Sequence, residues 1–211
     1  MAATETALIN GPDGPIELII DTPAQVRGIA LICHPHPLFH GSNTNKVAHM
    51  LARTFVQLGN VAQRPNFRGV GSSKGVHDHG TGETADMLAV IDQAKARFGN
   101  LPMTLAGFSF GGYVITRVAE AMTQAGQPPH QLVLVGLATG TIAGDRTYTA
   151  PPIVGNGLII HGAKDATVPL ANVLAWAEPQ GLPVTVIPGA DHFFHRCLHT
   201  IRDIVCRHSR D

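Results

Sequence analysis

The sequence predicts an α/β architecture, with helices covering both faces of a mostly parallel sheet and an antiparallel pair of strands at its N-terminal edge. Three observations carry this expectation. Short runs of β-branched and aliphatic residues alternate with segments of helical period from Asn45 onward, and such alternation requires crossover connections between parallel strands. Gly, Pro, Asn or Asp stands at nearly every junction. The 211 residues are 44% apolar, enough to bury one sizeable core without disulfides, so residues 1–211 are expected to form one domain.

In order along the chain, "IELIID" (Ile16 to Asp21) and "GIALICH" (Gly28 to His34) read as strands, with the turn residues of "TPAQVR" joining them as a hairpin. Asn45 to Leu58 carries apolar residues at helical spacing, "NVAQRPN" is a short strand, and Glu83 to Phe98 is an amphipathic helix. A buried strand (Met103 to Gly107), a helix ("GGYVITRVAEAMTQ") and a strand (Gln131 to Gly136) follow. Further strands lie at Gly157 to Gly162 and Pro183 to Gly189, and a terminal helix is expected over Phe193 to Arg207. The stretch between Gly136 and Gly157 is polar and broken by Pro and Gly, which argues against a helical lid.

Charge and cysteine content narrow the function classes. Lys plus Arg equals Asp plus Glu at 15 each, so no net field attracts nucleic acid or an acidic membrane surface. No apolar run approaches the ~20 residues of a membrane span, and the first residues lack a basic segment followed by an apolar one. Cys33, Cys197 and Cys206 form no CxxC pair and suit reduced thiols, so a cytoplasmic protein is expected.

In sheets of this kind reactive groups gather at the carboxyl ends of strands. G-x-S-x-G occurs twice, as "GSSKG" around Ser73 and "GFSFG" around Ser109. Only Ser109 follows a strand and leads directly into a helix, the context a nucleophile elbow needs. Ser73 reads as part of a glycine-rich surface loop. A serine hydroxyl needs a base and an orienting acid. Asp165 lies just past one later strand and His192 just past the next, giving the chain order Ser, Asp, His. Asp145 and Asp191 are rival acids; His195, His199 and His208 fall in the terminal helical pattern and read as surface or packing residues.

The stretches "CHPHPLFHGS", "RPNFRGVGSSKG", "GFSFGGY", "HGAKDATVP" and "GADHFF", in that order, resemble the α/β-hydrolase fold family over nearly the whole chain. The likeness is to small lidless bacterial serine hydrolases, with similarity to dienelactone hydrolase-like and acyl-protein thioesterase-like enzymes. It implies a triad of Ser109, Asp165 and His192 and hydrolysis of a carboxylic ester or thioester, without a cofactor. The oxyanion donors expected for such chemistry are the main-chain N–H of Phe110 and one in the "HPHP" loop. Pro35 and Pro37 have no N–H, which leaves His36, its ring incidental.

Leu38, Phe39, Phe193 and Phe194 flank these positions and are candidates for an apolar acyl pocket. Arg68 reads either as a carboxylate binder at the rim or as half of a structural ion pair, and His77, Asp78 and His79 as a polar rim. Two other readings stay open. One is a hydrolase-fold binding or regulatory module; the other is a metallohydrolase using His34, His36, His77, Asp78 and His79, although no H-E-x-x-H helix exists and no metal is expected. The expected partners are a small-molecule ester or thioester and, at most, a second copy of the chain in a homodimer, with neither nucleic acid nor membrane.

Overall fold

The computed structural model describes residues 2–209. Its elements in chain order are β1 (Ala3–Gly11), β2 (Gly14–Thr22), β3 (Gly28–Cys33), α1 (Lys46–Gln57), β4 (Asn60–Pro65), α2 (Thr81–Phe98), β5 (Met103–Phe108) and α3 (Phe110–Gln124). They continue with β6 (Gln131–Val135), β7 (Gly140–Ile142), β8 (Arg146–Tyr148), β9 (Gly157–Gly162), α4 (Leu170–Ala177), β10 (Val184–Ile187) and α5 (Leu198–His208). Eight strands form one sheet in the order β1-β2-β4-β3-β5-β6-β9-β10, parallel from β4 to β10, with β1 and β2 antiparallel at the edge.

The N-terminal hairpin exists, but its arms differ from those the sequence suggested. The strand at 14–22 pairs with β1, a strand the sequence reading passed over, and β4 lies between β2 and β3. β1 escaped notice because it is a largely exposed edge whose Ala, Thr and Glu side chains carry little apolar alternation. The stretch 136–157 forms no helix; it holds the small hairpin β7–β8. The helix α4, also unforeseen, is only eight residues long. The terminal helix begins at Leu198 rather than Phe193, because Phe194 and Arg196 take positive φ values of 52° and 63° that no α-helix continues through. His195 therefore precedes the helix and bonds Asp191, while His199 and His208 lie on it.

Strand side chains alternate between two apolar layers. Ile29, Leu31, Leu105, Leu132 and Leu134 pack toward α2, α3 and α4; Ala30, Ile32, Phe108, Val133 and Val135 pack toward α1 and α5. A parallel sheet buried on both faces explains why its strands read as continuous apolar runs. Among the described residues, no helix is long and apolar enough to cross a membrane.

Candidate active site

Ser109 stands in the single residue between β5 and α3. Its φ of 56° and ψ of −119° lie where a non-glycine residue is strained by about 1–3 kcal/mol. The main chain holds it there: its N–H donates to Val135 O at 2.9 Å, and its carbonyl accepts from Tyr113 and Ala138 at 3.2 Å each. Serine at a helix N-cap ordinarily bonds the first-turn amides. Here the side chain makes no such cap, and Oγ points to His192.

The flanking glycines are sterically required. A Cβ on Gly107 would overlap the main chain of Gly111, and one on Gly111 would overlap the carbonyl oxygens of Cys33 and His34. The first turn of α3 thus lies directly against the end of β3, which brings the His34–Pro35–His36 loop beside Ser109.

Three side chains line up in series. Oγ of Ser109 is 3.0 Å from Nε2 of His192, and Nδ1 of His192 is 2.7 Å from Oδ2 of Asp165. A carboxylate only accepts, so Nδ1 carries the proton and Nε2 offers its lone pair to the hydroxyl. Oδ1 of Asp165 accepts from the amides of Thr167 (2.9 Å) and Val168 (2.7 Å), which fixes the carboxylate plane. All three residues are buried, so these bonds act in a low dielectric. The rival acids lie elsewhere: Asp191 binds the exposed His195 ring at 2.6 Å, and Asp145 sits exposed in the β7–β8 turn.

His161, given no role by the sequence reading, braces the acid. Its Nε2 donates to Val168 O at 3.0 Å and lies 3.5 Å from Oδ2 of Asp165. Burial holds this ring below the usual histidine range, so it stays neutral.

The His36 and Phe110 amides have no hydrogen-bond acceptor among the described residues. The His36 ring is not incidental: its Nδ1 accepts from Leu38 N at 3.2 Å, opening a 3-10 turn over Pro37–Phe39, and it packs 4.8 Å from the Phe110 ring. His34 is more tightly specified. Its Nδ1 donates to Pro35 O at 2.7 Å and its Nε2 accepts from Phe67 N at 3.0 Å, so both main-chain partners demand the neutral ring. Burial pushes it down to about 4. The histidines of this stretch therefore shape a loop, and among the described residues no three His, Cys, Asp or Glu side chains are arranged to hold a metal ion.

The remaining expectations divide. Leu38, Phe39 and Phe193 are exposed at 68%, 61% and 53% near the site, but Phe194 is fully buried, its ring 6.3 Å from Phe108 in the core. The pocket role expected of Phe194 is thereby corrected: its ring belongs to the core layer packed against α1 and α5. Arg68 is half of a structural pair, its guanidinium forking onto Asp86 with two bonds of 2.9 Å. Ser73 is buried rather than on the surface, accepting from Glu17 N and donating to Asn66 O at 2.9 Å each. His77 binds Glu83, which also accepts from the Asp78 and Gly80 amides at the start of α2; His79 is exposed. Clefts lined by Pro23 and Gly59 and by Pro102 and His130 lie at the amino ends of strands, away from Ser109.

Comparison with known proteins bears on the fold and the family. No family model matches the chain. A structure of an α/β serine hydrolase homologue from Coxiella burnetii is 36% identical, with 96% of each chain covered and a TM-score of 0.85. The chain belongs to the α/β serine hydrolase family. An α/β serine hydrolase without lid from Xanthomonas campestris is 34% identical, with 98% of this chain and 94% of that one covered and a TM-score of 0.87. A protein of Rickettsia prowazekii (strain Madrid E), described only as uncharacterized, is 33% identical over 195 residues, 88% of this chain and 80% of its own. In this α/β serine hydrolase the roles missed from sequence belong to residues inside the quoted stretches: His161 braces Asp165, and the His34 ring joins the first stretch to the second by accepting from a main-chain amide 33 positions away, a link that no local pattern announces.

Proposed function

We propose that this α/β serine hydrolase cleaves a carboxylic ester or thioester through an acyl-enzyme on Ser109. The observation that carries the reading is the unbroken series from Ser109 Oγ through the His192 ring to Asp165, at 3.0 and 2.7 Å. Nε2 of His192 takes the hydroxyl proton as Oγ attacks the carbonyl carbon; Asp165 holds the tautomer and offsets the imidazolium charge. The amides of His36 and Phe110 receive the oxyanion, and Pro35 and Pro37 hold the first of them in place before substrate arrives. The imidazolium then gives its proton to the departing alkoxide or thiolate. Water attacks the acyl-enzyme with His192 again as base, releasing the acid and restoring Ser109.

A fluorophosphonate probe tests the reading. It labels the wild-type protein and fails to label Ser109→Ala; equal labelling of both, or of neither, overturns it. A binding module with an inert site gives neither, and turnover that a chelator abolishes supports the metallohydrolase instead.

A further inference from the structure

A cavity of about 690 Å³ opens at the carboxyl end of the sheet, lined by His36, Phe39, Tyr113, Arg117, Arg146 and Tyr148 among others. It adjoins the nucleophile through residue 110: the Phe110 ring lies 4.8 Å from that of His36, 5.9 Å from Tyr113 and 5.8 Å from Tyr148. The walls are thus aromatic.

Two guanidinium groups line this space, and neither forms an ion pair with a carboxylate among the described residues. Arg117 donates only to the neutral oxygens of Thr84, Tyr113 and Thr81, at 3.2–3.4 Å. Arg146 gives Nε and Nη2 to a single carbonyl, Ala143 O, and lies 4.2 Å above the Phe39 ring. The carboxylate behind His77 is occupied: Glu83 accepts from that ring and from two amides. Burial first, and after it the neighbouring His77, Arg146 and His79, push the His36 ring down to about 4, so that ring adds no charge of its own to the cavity wall.

Partly desolvated arginines without a counter-ion favour a carboxylate or phosphate in fork geometry, and the rings favour a flat apolar body carrying it. We infer that this cavity binds the anionic end of the substrate, a carboxylate or phosphate borne on an aromatic or planar group, while the ester carbonyl sits at Ser109. The inference rests on the acyl-transfer reading above for the second clause only.

The test measures inhibition of p-nitrophenyl butyrate hydrolysis by benzoate, phenyl phosphate and, as neutral control, benzyl alcohol. Wild type is compared with Arg117→Gln/Arg146→Gln, whose fold is checked by its melting curve. One of the anions is expected to compete at least tenfold better than the alcohol, with its inhibition constant raised about a hundredfold in the double variant and raised also by added salt. Benzoate as the better competitor assigns a carboxylate; phenyl phosphate as the better assigns a phosphate. Equal potency of anions and alcohol, or a constant unchanged in the double variant, overturns the inference. Should the protein turn over no ester, calorimetric titration of the same anions decides alone. Arginine-dependent binding upholds the anion site and overturns only the acyl-transfer reading, whereas absence of binding overturns the site.

Discussion

Replacing Asp165 by Asn reverses one proton and little else. Oδ1 of Asp165 accepts from two amides, Thr167 at 2.9 Å and Val168 at 2.7 Å, so the Asn carbonyl oxygen must take that position and its NH2 the position of Oδ2. The NH2 then donates to Nδ1 of His192, 2.7 Å away in the parent, which moves the ring proton to Nε2. A protonated Nε2 cannot accept from the Ser109 hydroxyl. Loss of the correct tautomer costs about 10⁴-fold in kcat, equivalent to about 5 kcal/mol of barrier. The variant is isosteric and keeps its amide bonds, so the fold should survive. Steady-state hydrolysis of p-nitrophenyl butyrate, with circular dichroism melts of both proteins, reads the effect. A kcat for Asp165→Asn within about tenfold of wild type, with the fold intact, would refute the tautomer argument, since the expected loss is about 10⁴.

Other consequences follow from the same contacts. The His34 ring is held neutral with its affinity for protons lowered to about 4 from the ordinary 6.5, so below pH 6.5 the unfolded chain binds a proton that the folded chain refuses. Stability is therefore full above that pH and is lost as pH falls toward 4, by about 3 kcal/mol from this residue. Urea titrations at several pH values should show a shallower slope for His34→Gln; identical slopes would contradict it. Asp86→Ala leaves the Arg68 guanidinium buried with only the exposed Asp13 at 3.7 Å, and thermal denaturation should register a loss of about 3–5 kcal/mol; a loss below about 1 kcal/mol would mean the pair is not structurally engaged. Ser109→Gly relieves the strain of a positive φ and should raise the denaturant midpoint, worth about 1 kcal/mol, while abolishing turnover. An unchanged or lowered midpoint would show that the elbow stores no strain.

Features set by local chemistry were legible in the sequence, and features set by distant partners were not. Ser109 announces itself because both neighbouring glycines are demanded by close main-chain approach, and Asp165 and His192 because each follows a strand of the parallel sheet. Sheet order is a different matter. Adjacent strands at 14–22 and 28–33 read as partners, yet β4, which the chain reaches through α1, lies between them. Phe193 and Phe194 are alike in sequence, yet one ring is exposed and the other lies in the core, in a turn with a left-handed residue at 194 that no local pattern marks. The cavity arginines come from α3 and the β7–β8 hairpin, two elements whose meeting no periodicity forecasts.

The proposed chemistry requires a covalent bond to one oxygen, and rapid-quench mass spectrometry during turnover of p-nitrophenyl acetate detects that bond itself. Wild type should gain the mass of one acetyl group, mapped by proteolysis to the peptide containing Ser109, and Asp165→Asn should gain it far more slowly. Turnover of the ester with no acylated peptide, or acylation mapped to another residue, would contradict it.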